Sequence, residues 1–131
     1  MKKTTFLILL LLILHLAHII EEIFGNAWFI EKFYGGINNF IIITGILFLI
    51  SLLFCYLFII NAKFSFYLIF IYSVILILDG FDHIIEIIVL KKYFNGVAGV
   101  FTGIGFIIIG LLFLRSLKEY TGLKPTANLI N

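Results

Sequence analysis

The sequence predicts an all-α membrane protein, a four-helix bundle built from two parallel-repeat helical hairpins. Three observations carry that expectation. Apolar residues make up 63% of the 131-residue chain and charged residues only 12%. The mean hydropathy is +1.25, far from the composition of water-soluble domains. The apolar residues fall in four runs, each near the roughly 20 residues that cross a bilayer's hydrocarbon core. Blocks of the first half also recur, in order, in the second.

The first span covers residues 6–24. The opening MKKTTFLILLLLIL has the basic start and apolar run of a secretory leader. No small-residue cleavage pattern follows it, and the helix runs on into His15 and Glu22, so it is read as a retained span. Next comes GNAWFIEKFYGGINN, whose Trp28 and Tyr34 suit headgroup level at a membrane interface. The second, third and fourth spans cover residues 37–60, 64–90 and 97–114. Residues 1–117 thus make the transmembrane domain, with halves of about 6–60 and 64–114, and 118–131 a polar cytoplasmic tail containing Pro125 and Asn128. Gly45, Gly99, Gly103, Gly105 and Gly110 are small positions where helices can approach closely. Cys55 is the only cysteine, which excludes an intrachain disulfide and suits a packing role.

The repeat is visible at three places. HIIE at 18–21 recurs at 83–86, FYGGI at 33–37 corresponds to YFNGV at 93–97, and TGILFLISLLF at 44–54 to TGIGFIIIGLLF at 102–113. Two spans per half mean that both halves enter the membrane in the same direction, with the symmetry axis along the membrane normal. The HIIE motifs of the first and third spans then fall at matching depths. Basic residues set the orientation. Lys2, Lys3, Lys63, Arg115, Lys118 and Lys124 lie on one side, against Lys32, Lys91 and Lys92 on the other. The positive-inside rule places both termini in the cytoplasm and the motifs in the outer half of the bilayer. A net charge of +2 without an extended basic run gives no footprint for nucleic acid.

Two polar ladders interrupt these spans: His15, His18, Glu21 and Glu22 on the first, and Asp79, Asp82, His83 and Glu86 on the third. Ionisable groups inside lipid-spanning segments are costly and mark functional sites that face a bundle interior or cavity. His15, His18 and Glu22 share one helical face, with Glu21 about 60° to its side. Asp79, Asp82, His83 and Glu86 form a stripe at i, i+3, i+4 and i+7. Turned inward, the ladders gather three imidazoles and five carboxylates, which cannot all stay ionised at low dielectric without compensation. A divalent metal (zinc, iron or manganese) compensates them most economically. Carboxylate-bridged dimetal bundles build such sites from Glu and Glu-x-x-His on facing helices; the order here is the reverse, His-x-x-Glu.

HIIEE at 18–22, within a long N-terminal apolar span, resembles the signature of the HXXEE family of small bacterial membrane proteins. The stretch HIIEIIVLKKYFNGVAGVFTGI at 83–104 is similar to that family's second block. Asn95 stands where the proline of that block's Pro-Gly turn would be. The resemblance spans most of residues 6–114 and implies His18, Glu21 and Glu22 as signature residues and His83 as the second-block histidine. It implies a multi-pass protein of the bacterial cell membrane, and no activity.

The expected site has His18, Glu21, His83 and Glu86 as metal ligands, Glu22 or Asp82 as general base, and His15 and Asp79 as further polar groups. Its expected task is hydrolytic or acid/base chemistry on a membrane lipid or other hydrophobic small molecule, as in a metal-dependent membrane enzyme. Open beside it stand a metal-free isomerase-like or amine-binding pocket, a small cation transporter or resistance protein, and hydrogen bonding between helices alone. Self-association into a homo-oligomer also stays open. The sequence has no nucleotide-binding loop, Ser/His/Asp arrangement or haem-attachment motif. A bis-histidine haem on His18 and His83 is disfavoured by the surrounding carboxylates.

Overall fold

The computed structural model describes residues 2–25, 29–62, 64–90 and 99–122. Four helices dominate them: α1 (Lys2–Phe24), α2 (Ile37–Ile59), α3 (Ser65–Leu90) and α4 (Val100–Gly122), with a π-helical turn, Ile30–Tyr34, before α2. No strand occurs among the described residues. The molecule is an all-α four-helix bundle, as the apolar runs predict.

α4 packs along both α3 and α1, while α2 touches α1 and α3 more sparsely. The helices therefore run around the bundle in the order α1, α4, α3, α2, and α1 faces α3 across the diagonal. Core side chains come mainly from three helices: Leu7, Ile8 and Leu11 of α1, Ile69, Tyr72 and Leu76 of α3, and Phe106, Phe113 and Leu117 of α4. α2 buries Cys55 and Phe58 in that core, with Phe48 and Phe54 packed against it.

All four helices are long and apolar enough to cross a membrane, the architecture of a multi-pass membrane protein. Their outward faces carry Phe6, Ile13, Leu49, Ile71, Phe101 and Leu111, all exposed, a surface suited to acyl chains rather than water. Burial of oil against oil gives little drive in lipid, so close packing and interhelical hydrogen bonds hold such bundles together. Both are present. Gly80 and Gly103 bring the α3 and α4 backbones together, since a Cβ on Gly80 would run into the Gly103 carbonyl. Thr4 and Ser116 share a buried hydroxyl hydrogen bond of 2.9 Å between α1 and α4. Tyr120 donates to Asn61 Oδ1 at 2.9 Å and ties α4 to the α2–α3 turn.

Two boundaries differ from the sequence expectation. α1 begins near Lys2 because Thr4 is buried on Ser116. α4 begins at Val100 and continues through Lys118 to Gly122, so the start of the expected tail is helical. The Arg115–Glu119 pair at 3.4 Å and the Tyr120 ring against Phe58 extend that helix beyond the apolar run. Trp28, Lys63, Lys91, Lys92, the Asn95–Gly96 turn, Lys124, Pro125 and Asn128 lie outside the described residues.

Candidate functional site

The diagonal arrangement decides which ladder residues meet. His18 and Glu22, at i and i+4 on α1, point at the α3 stripe; Asp79 and His83, at i and i+4 on α3, point back. His18 Nε2 and His83 Nε2 lie 3.3 Å apart. Asp79 Oδ2 stands 3.1 Å from His18 Nε2, and Glu22 Oε1 is 3.2 Å from His18 Nε2 and 3.5 Å from His83 Nε2. Ligand atoms of His18, Asp79 and His83 all lie within 4.8 Å of one another. His18, Glu22 and His83 are buried, whereas the Asp79 side chain is 41% exposed. Exposed on one side and closed on the others, the cluster is accessible through Asp79.

A hydrogen-bond relay sets the proton position on His18. The Thr102 hydroxyl donates to Glu21 Oε2 at 2.6 Å, much shorter than its 3.3 Å approach to the Gly99 carbonyl. With its one proton so committed, Thr102 Oγ1 must accept from His18 Nδ1, 2.8 Å away. His18 thus carries a proton on Nδ1, and in the neutral ring the Nε2 lone pair faces the cluster. His83 Nδ1 is buried and lacks a hydrogen-bond partner among the described residues, with Glu86 Oε2 at 3.4 Å. Both ring Nε2 atoms and two carboxylates therefore converge on one point. Acceptors gathered this closely are compensated by a proton on one of the two Nε2 atoms or by a bound cation.

The floor of the site is the N-terminus of α4. Gly99 has φ +87°, and a Cβ there would fall 2.6 Å from His83 Cε1 and 2.8 Å from His18 Cε1. Only glycine lets the chain pass beneath both imidazoles and still enter the helix. Glu21 accepts from the Phe101 and Thr102 amides at 3.3 and 3.1 Å, so an α1 carboxylate caps the otherwise unpaired first turn of α4. The Phe106 ring packs on His18 with centroids 4.9 Å apart.

On the opposite side the site opens into a cavity of about 480 Å³ bounded by α1, α2, α3 and the π-helical turn. His15, Asp82 and Glu86 line it together with the cluster residues. His15 lies a turn away from His18 and its Nδ1 is 3.1 Å from the Tyr72 hydroxyl. Asp82 is exposed at the rim, and Glu86 stands behind His83.

The ladders thus divide their work differently from the sequence expectation. His18 and His83 meet as expected. Asp79, expected only as a further polar group, joins them. Glu21, expected as a ligand, is turned about a quarter-face away onto α4, as its helical angle from His18 and Glu22 implies. Asp82, expected inside as a base, is at the mouth. Thr102, Gly99 and Tyr72 were not signalled by the ladders. Thr102 opens the second copy of the repeated TGI block, the one sequence feature that marks it.

No curated protein and no solved structure matches the chain. A family model described as "Protein of unknown function with HXXEE motif" matches residues 9–114, and within that stretch His18, Glu21 and Glu22 each hold a distinct place: imidazole of the cluster, cap of α4, and carboxylate shared by both histidines. The chain belongs to the HXXEE family.

Proposed function

We propose that this chain is an integral protein of the bacterial cell membrane whose His/Glu/Asp cluster binds a divalent metal and acts on a lipid or small amphiphile by hydrolytic or acid/base chemistry. The observation that carries this reading is the spacing of the donor atoms. Tetrahedral bonds of about 2.0–2.2 Å place neighbouring ligand atoms roughly 3.3–3.6 Å apart. The His18–His83 separation of 3.3 Å falls on that edge, the His18–Asp79 separation of 3.1 Å slightly under it, and the three ligand atoms lie within 4.8 Å of one another. His18, His83 and Asp79 serve as ligands. The Thr102–Glu21 relay behind His18 is the kind of outer partner that fixes an imidazole ligand.

A bound zinc, iron or manganese ion would supply Lewis acidity toward a substrate oxygen or water. Glu22 Oε1, beside both Nε2 atoms, is placed to hold the proton released there, in the general-base role. The His15–Tyr72 pair offers a second polar contact deeper in the cavity. Positive-inside reasoning puts both termini in the cytoplasm and the cluster toward the outer leaflet. The recurrence of HIIE supports descent from a duplicated hairpin, with His18 and His83 as equivalents 65 residues apart.

A metal-free reading is favoured by one feature: His18 Nε2 lies within 3.2 Å of two carboxylates, which suits a protonated imidazole in an acid/base or amine-binding pocket. Thermal unfolding separates the two. A metal that binds only the folded state, present at 100 times its Kd, stabilises it by about 2.7 kcal/mol. Chelation should lower the melting temperature of detergent-solubilised protein, and readdition of zinc, iron or manganese should restore it. An unchanged melting temperature under chelation would favour the metal-free pocket.

A further inference from the structure

The cavity is not sealed by the bundle. Its wall includes Leu47 and Ile50 of α2 and Ile71 and Ile75 of α3, and all four are exposed. The gap therefore lies between α2 and α3 and faces sideways, toward acyl chains in a membrane. The two TGI blocks treat the two sides of the imidazole pair differently. Thr102 and Thr44 open equivalent TGI blocks. Thr102 closes α4 onto His18. Thr44 instead donates to its own Phe40 carbonyl at 2.7 Å and lines the cavity, and among the described residues His83 Nδ1 has no hydrogen-bond partner to match the Thr102 oxygen that accepts from His18 Nδ1. One side of the imidazole pair is shut by α4; its counterpart is held open by α2.

The opening is amphipathic along its length. Its apolar end is Ile71 and Ile75 facing Leu47 and Ile50, and its polar end is Asp79 and Asp82. From Ile71 to Asp82 α3 advances about 16 Å, room for one extended alkyl chain. A volume near 480 Å³ is that of a site for one small ligand, within the usual range of about 300–1,000 Å³. No Lys or Arg is among the described residues lining the cavity. The acids at its polar end attract a cation and repel an anion.

We propose that the cleft between α2 and α3 is a lateral portal that admits a single-chain amphiphile with a protonated amine head, the head held at Asp82 beside the cluster and the chain lying between Ile71, Ile75, Leu47 and Ile50. This rests on the reading that the site acts on an amphiphile and names its class and route.

The test uses the full chain in phosphatidylcholine nanodiscs with radiolabelled dodecylamine, empty discs giving the partitioning background. Saturable binding near one dodecylamine per chain is expected. Asp82→Asn should weaken it at least tenfold, and Ile75→Trp, which fills the mouth from an exposed position, should abolish it. Laurate, with the same chain length and the opposite charge, should not displace the amine. Absence of saturable binding, equal displacement by laurate, or an unchanged affinity in Asp82→Asn would each overturn the proposal. Metal content measured on the same discs separates the two readings. Metal retained without amine binding sinks the portal alone, and amine binding without metal sinks metal ligation alone.

Discussion

Thr102 holds the geometry of His18 by accepting from its Nδ1 while donating to Glu21. Loss of such an outer partner typically costs 10–100-fold in metal affinity. Thr102→Val, which keeps the shape and removes the hydroxyl, is expected to weaken metal binding by about that factor, and Thr102→Ser to restore most of it. Equilibrium titration of the chelated protein measures both; equal affinities in Val and Ser variants would show that the hydroxyl does not orient the ring. Gly99 gives a second prediction. Its positive φ and the two imidazole edges above it leave no place for a methyl group. Backbone strain of this kind costs about 1–3 kcal/mol, so Gly99→Ala should lower the melting temperature and disturb the site together.

Much of this residue-level arrangement follows from the helical wheel, and some of it does not. His18 and Glu22 share a face by spacing alone, as do Asp79 and His83, and those four are the ones that meet. Glu21 sits to the side of that face, and the His-x-x-Glu spacing that it shares with Glu86 made it an expected ligand. Which neighbouring helix lay on that side was not written in α1. Thr102 and Gly99 were invisible to periodicity for the same reason: they reach the cluster from α4, at sequence separations of 84 for the Thr102–His18 bond. Asp82 shares the α3 stripe but lies at its edge, where the mouth rather than the core receives it.

At the scale of elements, the close approach of α3 and α4 places His83 over Gly99. Gly80 meets the Gly103 backbone, and Gly110 meets Ile77. Overpacking a tight contact costs about 1–3 kcal/mol, so Gly80→Val should destabilise the bundle by that order, push α4 from α3 and lower metal affinity as His83 moves. Thermal unfolding and metal titration of one preparation test this; a variant less stable but with normal affinity would uncouple the contact from the site. The existence and order of the four helices were legible because long apolar runs in this chain have few interpretations. Their packing order was not. All-round apolarity hides which face of α2 turns inward, and α2 proves to be the helix that the core uses least.

At the scale of the whole molecule, the bundle sets its polar cluster near one end, where α1 and α3 both finish and α4 begins. Lys3 and Lys118 mark the other end, and Lys32 lies on the turn beside the cluster's end. In a Cys55→Ser background, cysteines placed at Lys3 and Lys118 should react from the cytoplasmic side and one at Lys32 from the outside; the reverse pattern would invert the orientation inferred from the basic residues.

The most direct measurement is elemental analysis of purified, detergent-solubilised protein beside its His18→Ala and His83→Ala variants. About one zinc, iron or manganese per chain is expected in the native protein and little in either variant, with both still folded by circular dichroism. No stoichiometric metal in the native protein, or the same content after either substitution, would contradict a metal held between α1 and α3.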